Sequence, residues 1–87
     1  MGKIDEVIFL MELTDVLKKY NLQDKLYKRE LCYDEGFEEI FYYVRIPVFW
    51  SIEHKNKVFK KIHDELYEFC SENDLMDFLK DTCIIFV

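Results

Sequence analysis

Apolar and polar residues alternate along the chain with two different periods, and each change of period marks a new element. Over residues 4–20 the apolar positions recur with the period of a helix, and neither Gly nor Pro interrupts them, so we predict an amphipathic helix. Its apolar arc is wider than the stripe of about 100° that a surface helix needs, because Ile4, Ile8 and Met11 add a second flank. A strand over residues 7–13 is the alternative for this short apolar run.

Two β-prone runs follow, and the pattern between them predicts a hairpin. Residues 26–33 and 38–46 flank a short acidic loop that contains Gly36. The second run alternates well and ends before Pro47, which lacks the N–H group that a strand ladder needs. The first run mixes charged and apolar side chains, which is typical of an edge strand.

The second half of the chain predicts a long helix, a short helical turn and a last strand. Ser51 is the expected N-cap of a helix that runs to about Asn73, followed by a turn over residues 75–79 and an apolar strand over residues 82–87. We therefore predict one α+β domain over residues 1–87, in the order α-β-β-α-(short α)-β. Its three-stranded mixed sheet packs against helices, and a right-handed crossover makes the last two strands parallel.

The predicted sheet is apolar on both faces, so both faces need a cover. The long helix covers one face, and we expect the first helix to cover the other, which gives a three-layer monomer. In the alternative, the second face meets another chain through Phe41 and Tyr43, with Phe49 and Trp50 beside them.

Charge limits the choice of partner. Hydrophobic residues make up 51% of the chain, which is typical of a folded protein, and the net charge of -6 disfavours binding to nucleic acid. The acidic residues form two clusters that could contact a basic partner: Asp34, Glu35, Glu38 and Glu39 at the hairpin tip, and Glu72, Asp74, Asp77 and Asp81 near the other end of the sequence.

A basic patch is predicted in the first half of the long helix, where the helix dipole disfavours cations. It consists of Lys55, Lys57, Lys60 and Lys61, with four acidic residues in the second half of the helix. This polarity is either without functional consequence or is kept for a partner.

The chain offers little for catalysis. His54 and His63 lie nine residues apart on opposite sides of one helix, so they cannot share a metal ion. Cys32, Cys70 and Cys83 form no Cys-x-x-Cys pair, and we expect buried thiols in a reducing compartment. We predict no catalytic residue, no metal ion and no cofactor. The densest apolar run is too short to span a membrane, so we expect a cytoplasmic protein that does not bind membranes.

These observations predict a non-enzymatic protein-binding module. Inhibitors, antagonists, immunity proteins and antitoxins, including phage-encoded ones, are the class that we expect. Such a protein would occlude a basic surface of its partner, including one that normally holds nucleic acid. The alternative is a homodimer or an accessory structural subunit of a larger complex. A small hydrolase or nuclease that uses His63 or Glu53 is the weaker alternative.

Overall fold

Three helices and three strands form the fold in the predicted order. A computed structural model describes residues 3–87, with helices α1 (Lys3–Lys18), α2 (Ile52–Glu72) and α3 (Met76–Lys80). The strands are β1 (Leu26–Asp34), β2 (Phe37–Val44) and β3 (Thr82–Phe86). The predicted α+β class and element order are confirmed, and the first segment is a helix and not a strand.

The sheet has β2 in its centre, with β1 and β3 at its edges. β1 and β2 are antiparallel, whereas β2 and β3 are parallel and pair Ile40 with Thr82 and Val44 with Phe86. α2 and α3 form the crossover between the parallel strands. The mixed sheet is therefore the predicted one.

The turn between β1 and β2 consists of two residues. Glu35 has a φ of 48° and Gly36 a φ of 87°, and two successive positive φ values are the signature of a type I′ turn. This turn matches the twist of the two strands, so Asp34 pairs directly with Phe37.

Both long helices lie on the same face of the sheet, so the predicted three-layer arrangement is wrong. The Phe9 ring of α1 stacks on Tyr42 of β2 at 6.0 Å between centroids, and Phe59 of α2 meets Phe86 of β3 at 4.9 Å. Tyr42 and Phe86 belong to one face, because Phe86 pairs with Val44, two residues beyond Tyr42. A helix about 10 Å wide covers about two strands, so three strands need both helices on one side.

The core fills the space between this covered face and the helices. Ser51 caps α2 as predicted, since its hydroxyl accepts a hydrogen bond from the His54 N–H at 3.1 Å. The buried apolar residues are Phe9, Leu13, Val16, Leu17, Leu22, Ile40, Tyr42, Val44, Ile46, Val58, Ile62, Leu66, Cys70, Leu75, Phe78 and Ile84.

Candidate functional site

The two acidic clusters of the sequence meet at one end of the molecule, which we call the acidic end. The hairpin tip lies at the start of β2, and β3 begins beside it, because the Ile40 N–H donates to the Asp81 carbonyl at 2.9 Å. α2 ends at the same place, because it runs back over the sheet from the far end of β2. The residues of the acidic end are Asp34, Glu35, Glu38, Glu39, Glu72, Asp74, Asp77 and Asp81, with Lys80 among them.

The face of the sheet opposite the helices carries no helix, and we call it the open face. Its central row of apolar side chains comes from β2 and β3, namely Phe41, Tyr43 and Ile85, which are half-buried by their neighbours in the sheet. Cys83 lies beside Phe41 and is exposed. Phe41 and Tyr43 therefore lie where the sequence pattern placed them, and the described part of the chain provides no layer above them.

The acidic end and the open face are continuous. Glu39 precedes Phe41 by two residues on β2, so both side chains lie on the open face. Asp81 precedes β3 and lies beside Ile40, at the same edge of the face. The open face and the acidic end therefore form one aromatic surface with carboxylates along one end.

Polar contacts on β1 hold the middle of the open face in place. The Tyr43 hydroxyl donates to Glu30 at 3.2 Å, and Lys28 Nζ lies 3.2 Å from the same carboxylate and 5.1 Å from the Tyr43 ring centroid. The hydrogen bond from Lys28, followed by that from Tyr43, lowers the pKa of Glu30. The Tyr27 ring lies 6.3 Å from the Tyr43 ring. These contacts hold the Tyr43 side chain in one orientation.

The structure separates Phe49 and Trp50 from the other predicted contact residues. Both follow β2 and lie at the end of the sheet opposite the acidic end. Phe49 is 82% exposed, whereas Trp50 is half-buried and packs edge-on against the His54 ring at 4.4 Å. A groove of about 540 Å³ opens there, between Trp50, Arg45 and Lys55.

The four lysines of the predicted basic patch do not share one face of α2. Successive residues of a helix are 100° apart, so Lys55 and Lys57 point 160° apart, and only Lys55 is half-buried. Lys57, Lys60 and Lys61 are exposed at other angles. The lysines nevertheless all lie toward the start of α2, so the molecule has an acidic end and a more basic opposite end.

The histidines lie apart, as their spacing implied, but the expected burial of all three thiols is wrong: Cys70 is buried, Cys32 is half-buried and Cys83 is exposed. His63 packs on Phe59 at 4.4 Å, and its Nε2 atom is buried without a hydrogen-bond partner. Burial lowers the pKa of His63, although Asp64 opposes this shift. Burial also raises the pKa of the Cys70 and Cys32 thiols, which disfavours their thiolates. Among the described residues, no three His, Cys, Asp or Glu side chains could together hold a metal ion.

A polar cluster under the sheet was not predicted from the sequence. Glu6 of α1 accepts hydrogen bonds from the Arg29 guanidinium, at 2.7 and 3.1 Å, and from the Tyr42 hydroxyl at 3.1 Å. Burial, with Glu6 as the next cause, raises the pKa of Tyr42 to about 12. One feature of the sequence could have revealed this cluster: Glu6 lies between Leu13 and Leu17 on the helix wheel, within the buried arc of α1.

The outer flank of α1 is a second exposed apolar surface. It consists of Ile4, Val7, Ile8 and Met11, which recur at helical spacing and have no neighbouring element above them in the described part of the chain. This flank explains why the apolar arc of the helix is wider than its packing requires.

Comparisons with known proteins supply no further guide. None of the described helices is long and apolar enough to cross a membrane. The chain matches no family model, no curated protein and no solved structure, so its function is inferred from the geometry of these surfaces.

Proposed function

We propose that this protein is a protein-binding module that docks on a basic surface of another protein through its open face and acidic end. The observation that carries the proposal is their continuity, with Glu39 and Phe41 two residues apart on one face of β2 and Asp81 beside them. Aromatic side chains in the middle of an interface supply most of its binding energy, whereas charges at its rim steer the partner and select its sign.

The distribution of charge supports a basic partner. Eight carboxylates at one end of a chain with a net charge of -6 create a strong local negative potential. Such a potential accelerates association with a positively charged surface and repels nucleic acid itself. We propose that the partner surface is one that normally holds nucleic acid, since phosphates and clustered carboxylates are attracted to the same lysine and arginine side chains.

We propose that the protein acts by binding alone, without catalysis. The protein acts by occluding the surface that it covers, as inhibitors, immunity proteins and antitoxins do, and it acts in the cytoplasm. Half-burial of Phe41 and Tyr43 supports such a role, because side chains that are already ordered lose little conformational entropy when a partner covers them.

Affinity capture with matched variants tests the proposal. The wild-type chain, Phe41→Asp and the charge reversal Glu38→Lys/Asp77→Lys are each used to capture proteins from cells that contain this chain, and retained proteins are identified by mass spectrometry. We expect one basic protein to be retained by the wild type. Both variants should weaken its binding at least tenfold when it is purified and titrated, because Phe41→Asp places a charge in the aromatic centre of the surface and the charge reversal changes two of the eight carboxylates of the acidic end.

The control has the same change of net charge elsewhere. Asp15→Lys/Glu53→Lys replaces exposed carboxylates outside the open face and acidic end, and it should leave the affinity within about twofold. The affinity of the wild type should also fall as salt is raised. Retention that is insensitive to both surface variants would contradict the proposal.

A further inference from the structure

β3 leaves one backbone edge without a partner in the sheet formed by the described residues. It pairs with β2 alone, and the Asp81 carbonyl and both backbone groups of Val87 are directed at β2. Because backbone groups alternate in direction along a strand, those of Thr82, Ile84 and Phe86 are directed outward. These three residues present an unpaired ladder of donors and acceptors.

The two edges of the sheet differ, because β1 has features that discourage pairing with another chain and β3 does not. β1 carries Lys28, Arg29 and Glu30, and its register shifts between Leu26 and Lys28. Charges and irregular register are the usual means by which an edge strand avoids other chains. β3 has the sequence TCIIF, without a charge, and its pairing with β2 is regular. Its edge is therefore open to another strand.

A groove follows this edge. It has a volume of about 290 Å³ and lies between Phe59, Asn56 and Lys55 of α2 and the last residues of β3. Phe59 forms its floor by packing on Phe86. A strand added to β3 would thus gain side-chain contacts with α2 as well as backbone hydrogen bonds.

We propose that the strand that occupies this edge is β3 of a second copy of this chain, in antiparallel orientation. With Ile84 opposite Ile84 of the second copy, each Thr82 lies opposite a Phe86, and the outward-directed residues meet as hydrogen-bonded pairs. Each of these three pairs exchanges two hydrogen bonds. The two sheets become one sheet of six strands around a twofold axis, which is the commonest symmetry of protein dimers.

The charges of α2 are the reason to choose a second copy. α2 runs opposite to β3, and Phe59 lies at Phe86. Ile84 is two residues before Phe86, which is about 6.6 Å along the strand. The same distance corresponds to about four residues of α2, so the helix residue beside Ile84 is four positions after Phe59, at His63. The twofold axis therefore passes beside His63, and the first half of α2 runs along the second half of the other α2.

This pairing brings opposite charges together. Among the charged residues of α2, one from each half lies on the side turned away from α1: Lys60 in the first half and Asp64 in the second half. Lys60 and Asp64 both lie on the flank away from Glu65, which faces α1 through Lys19 and Tyr20. Lys60 of one chain is therefore complementary in charge to Asp64 of the other chain, near the twofold axis. The acidic ends of the two copies also lie at opposite ends of the dimer.

The dimer leaves the open face accessible and joins two open faces side by side. It is independent of the proposed binding function, because it uses the edge of β3 and the flank of α2. A failure of one proposal leaves the other standing, since one is tested by self-association and the other by a different protein.

A register-specific disulfide tests the pairing. In this register Cys83 lies opposite Ile85 of the second copy, as a non-hydrogen-bonded pair with Cα atoms about 4.5 Å apart, within the range that disulfides span. Ile85→Cys, combined with Cys32→Ser, is oxidised with glutathione disulfide and analysed by mass spectrometry. We expect a dimer linked between position 83 and position 85. Tyr33→Cys in the same background places a thiol on β1, at the other edge, and should not yield this dimer.

Self-association without a cross-link is the second measurement. Light scattering at about 0.15 M salt, where repulsion between two acidic chains is screened beyond about 8 Å, should give twice 10.7 kDa for the wild type. Lys60→Glu should weaken the dimer roughly threefold to thirtyfold, and Lys60→Glu/Asp64→Lys should restore it. Lys18→Glu makes the same change of net charge on α1 and should have no comparable effect.

Three results would overturn the proposal. They are a wild-type chain that stays monomeric up to millimolar concentration, a dimer in which positions 83 and 85 do not cross-link, and a monomer whose β3 edge takes up an extended segment of another protein. A Lys60→Glu variant that dimerises as well as the wild type would contradict the α2 pairing.

Discussion

Tyr42 shows how one hydroxyl group ties the sheet to α1. Its ring is buried against Phe9, and its hydroxyl donates to Glu6, which also accepts from Arg29 on the neighbouring strand. A charge-assisted hydrogen bond of this kind contributes about 1.5–3 kcal/mol when its groups are well buried. The cluster therefore fixes the position of α1 over β1 and β2.

Alkaline pH should destabilise the protein through Tyr42. The pKa of Tyr42 is about 12 in the folded protein and about 10 when unfolded, so the unfolded chain loses the proton first. The contribution of Tyr42 to the free energy of unfolding is fully present below pH 10 and is lost as the pH rises through 12. The free energy of unfolding should fall by up to about 1.4 kcal/mol per pH unit in this range. Urea unfolding at several pH values above 9 measures this slope. Tyr42→Phe should flatten the slope, and an unchanged slope in that variant would contradict the assignment.

The sequence predicted the face of Tyr42 but not its partner. Alternation in β2 places Tyr42 with Ile40 and Val44 on one face, and burial of all three confirms this. Pairing with Glu6 depends on where α1 crosses the sheet, which no local pattern specifies. A carboxylate in the middle of an apolar arc was the available clue, because a buried charge requires a hydrogen-bonded partner.

At the scale of elements, the hairpin shows how turn geometry controls the register of the sheet. A type I′ turn at Glu35 and Gly36 aligns β1 with β2, so that Tyr33, Asp34 and their partners pair directly. Gly36 adopts its φ of 87° at little cost, whereas Glu35 adopts a φ of 48° that L residues other than Asn and Asp disfavour.

Two substitutions in this turn should change stability in opposite directions. Gly36→Ala should lower the free energy of unfolding by about 1–2 kcal/mol, although a Cβ atom there would meet no neighbour within 4 Å, because the cost lies in the backbone alone. Glu35→Asn should raise it by a few tenths of a kcal/mol, because Asn tolerates this conformation. Urea unfolding measures both. Equal effects of the two substitutions would show that the turn is not of type I′.

Most elements were predictable because their signals are local. Ser51 caps α2, Pro47 follows the end of β2, and Gly36 lies in the hairpin turn, as the residue types indicated. The side of the sheet that α1 covers was not predictable. It depends on the area that α2 leaves uncovered above β1, which is a property of the assembled sheet.

At the scale of the whole molecule, chain topology concentrates charge. Parallel pairing of Ile40 with Thr82 brings the acidic hairpin tip beside the acidic residues around α3. In the sequence the two acidic clusters are far apart. The predicted parallel pairing of the last two strands already implied that they lie at the same end of the sheet, because parallel strands begin at the same end. Carboxylates close together repel one another, so we expect the acidic end to reduce stability at low ionic strength.

Salt should therefore stabilise the fold. Raising NaCl from about 0.02 M to about 0.5 M shortens the Debye length from roughly 20 Å to roughly 4 Å and screens repulsion within the acidic end. Urea unfolding should show a gain in the free energy of unfolding. The gain should be smaller in Glu38→Lys/Asp77→Lys, which reduces the repulsion directly, than in the control Asp15→Lys/Glu53→Lys. A loss of stability with salt would show that attractive ion pairs dominate.

The parallel pairing of β2 with β3 also determines the order in which the chain can fold. Two residues separate β1 from β2, so their hairpin closes locally within microseconds, whereas the partners Ile40 and Thr82 are 42 positions apart in sequence. We therefore expect β3 to pair after the hairpin has closed, and until then β2 has one unpaired edge. The longer that edge stays unpaired, the longer a newly made chain is vulnerable to misassembly.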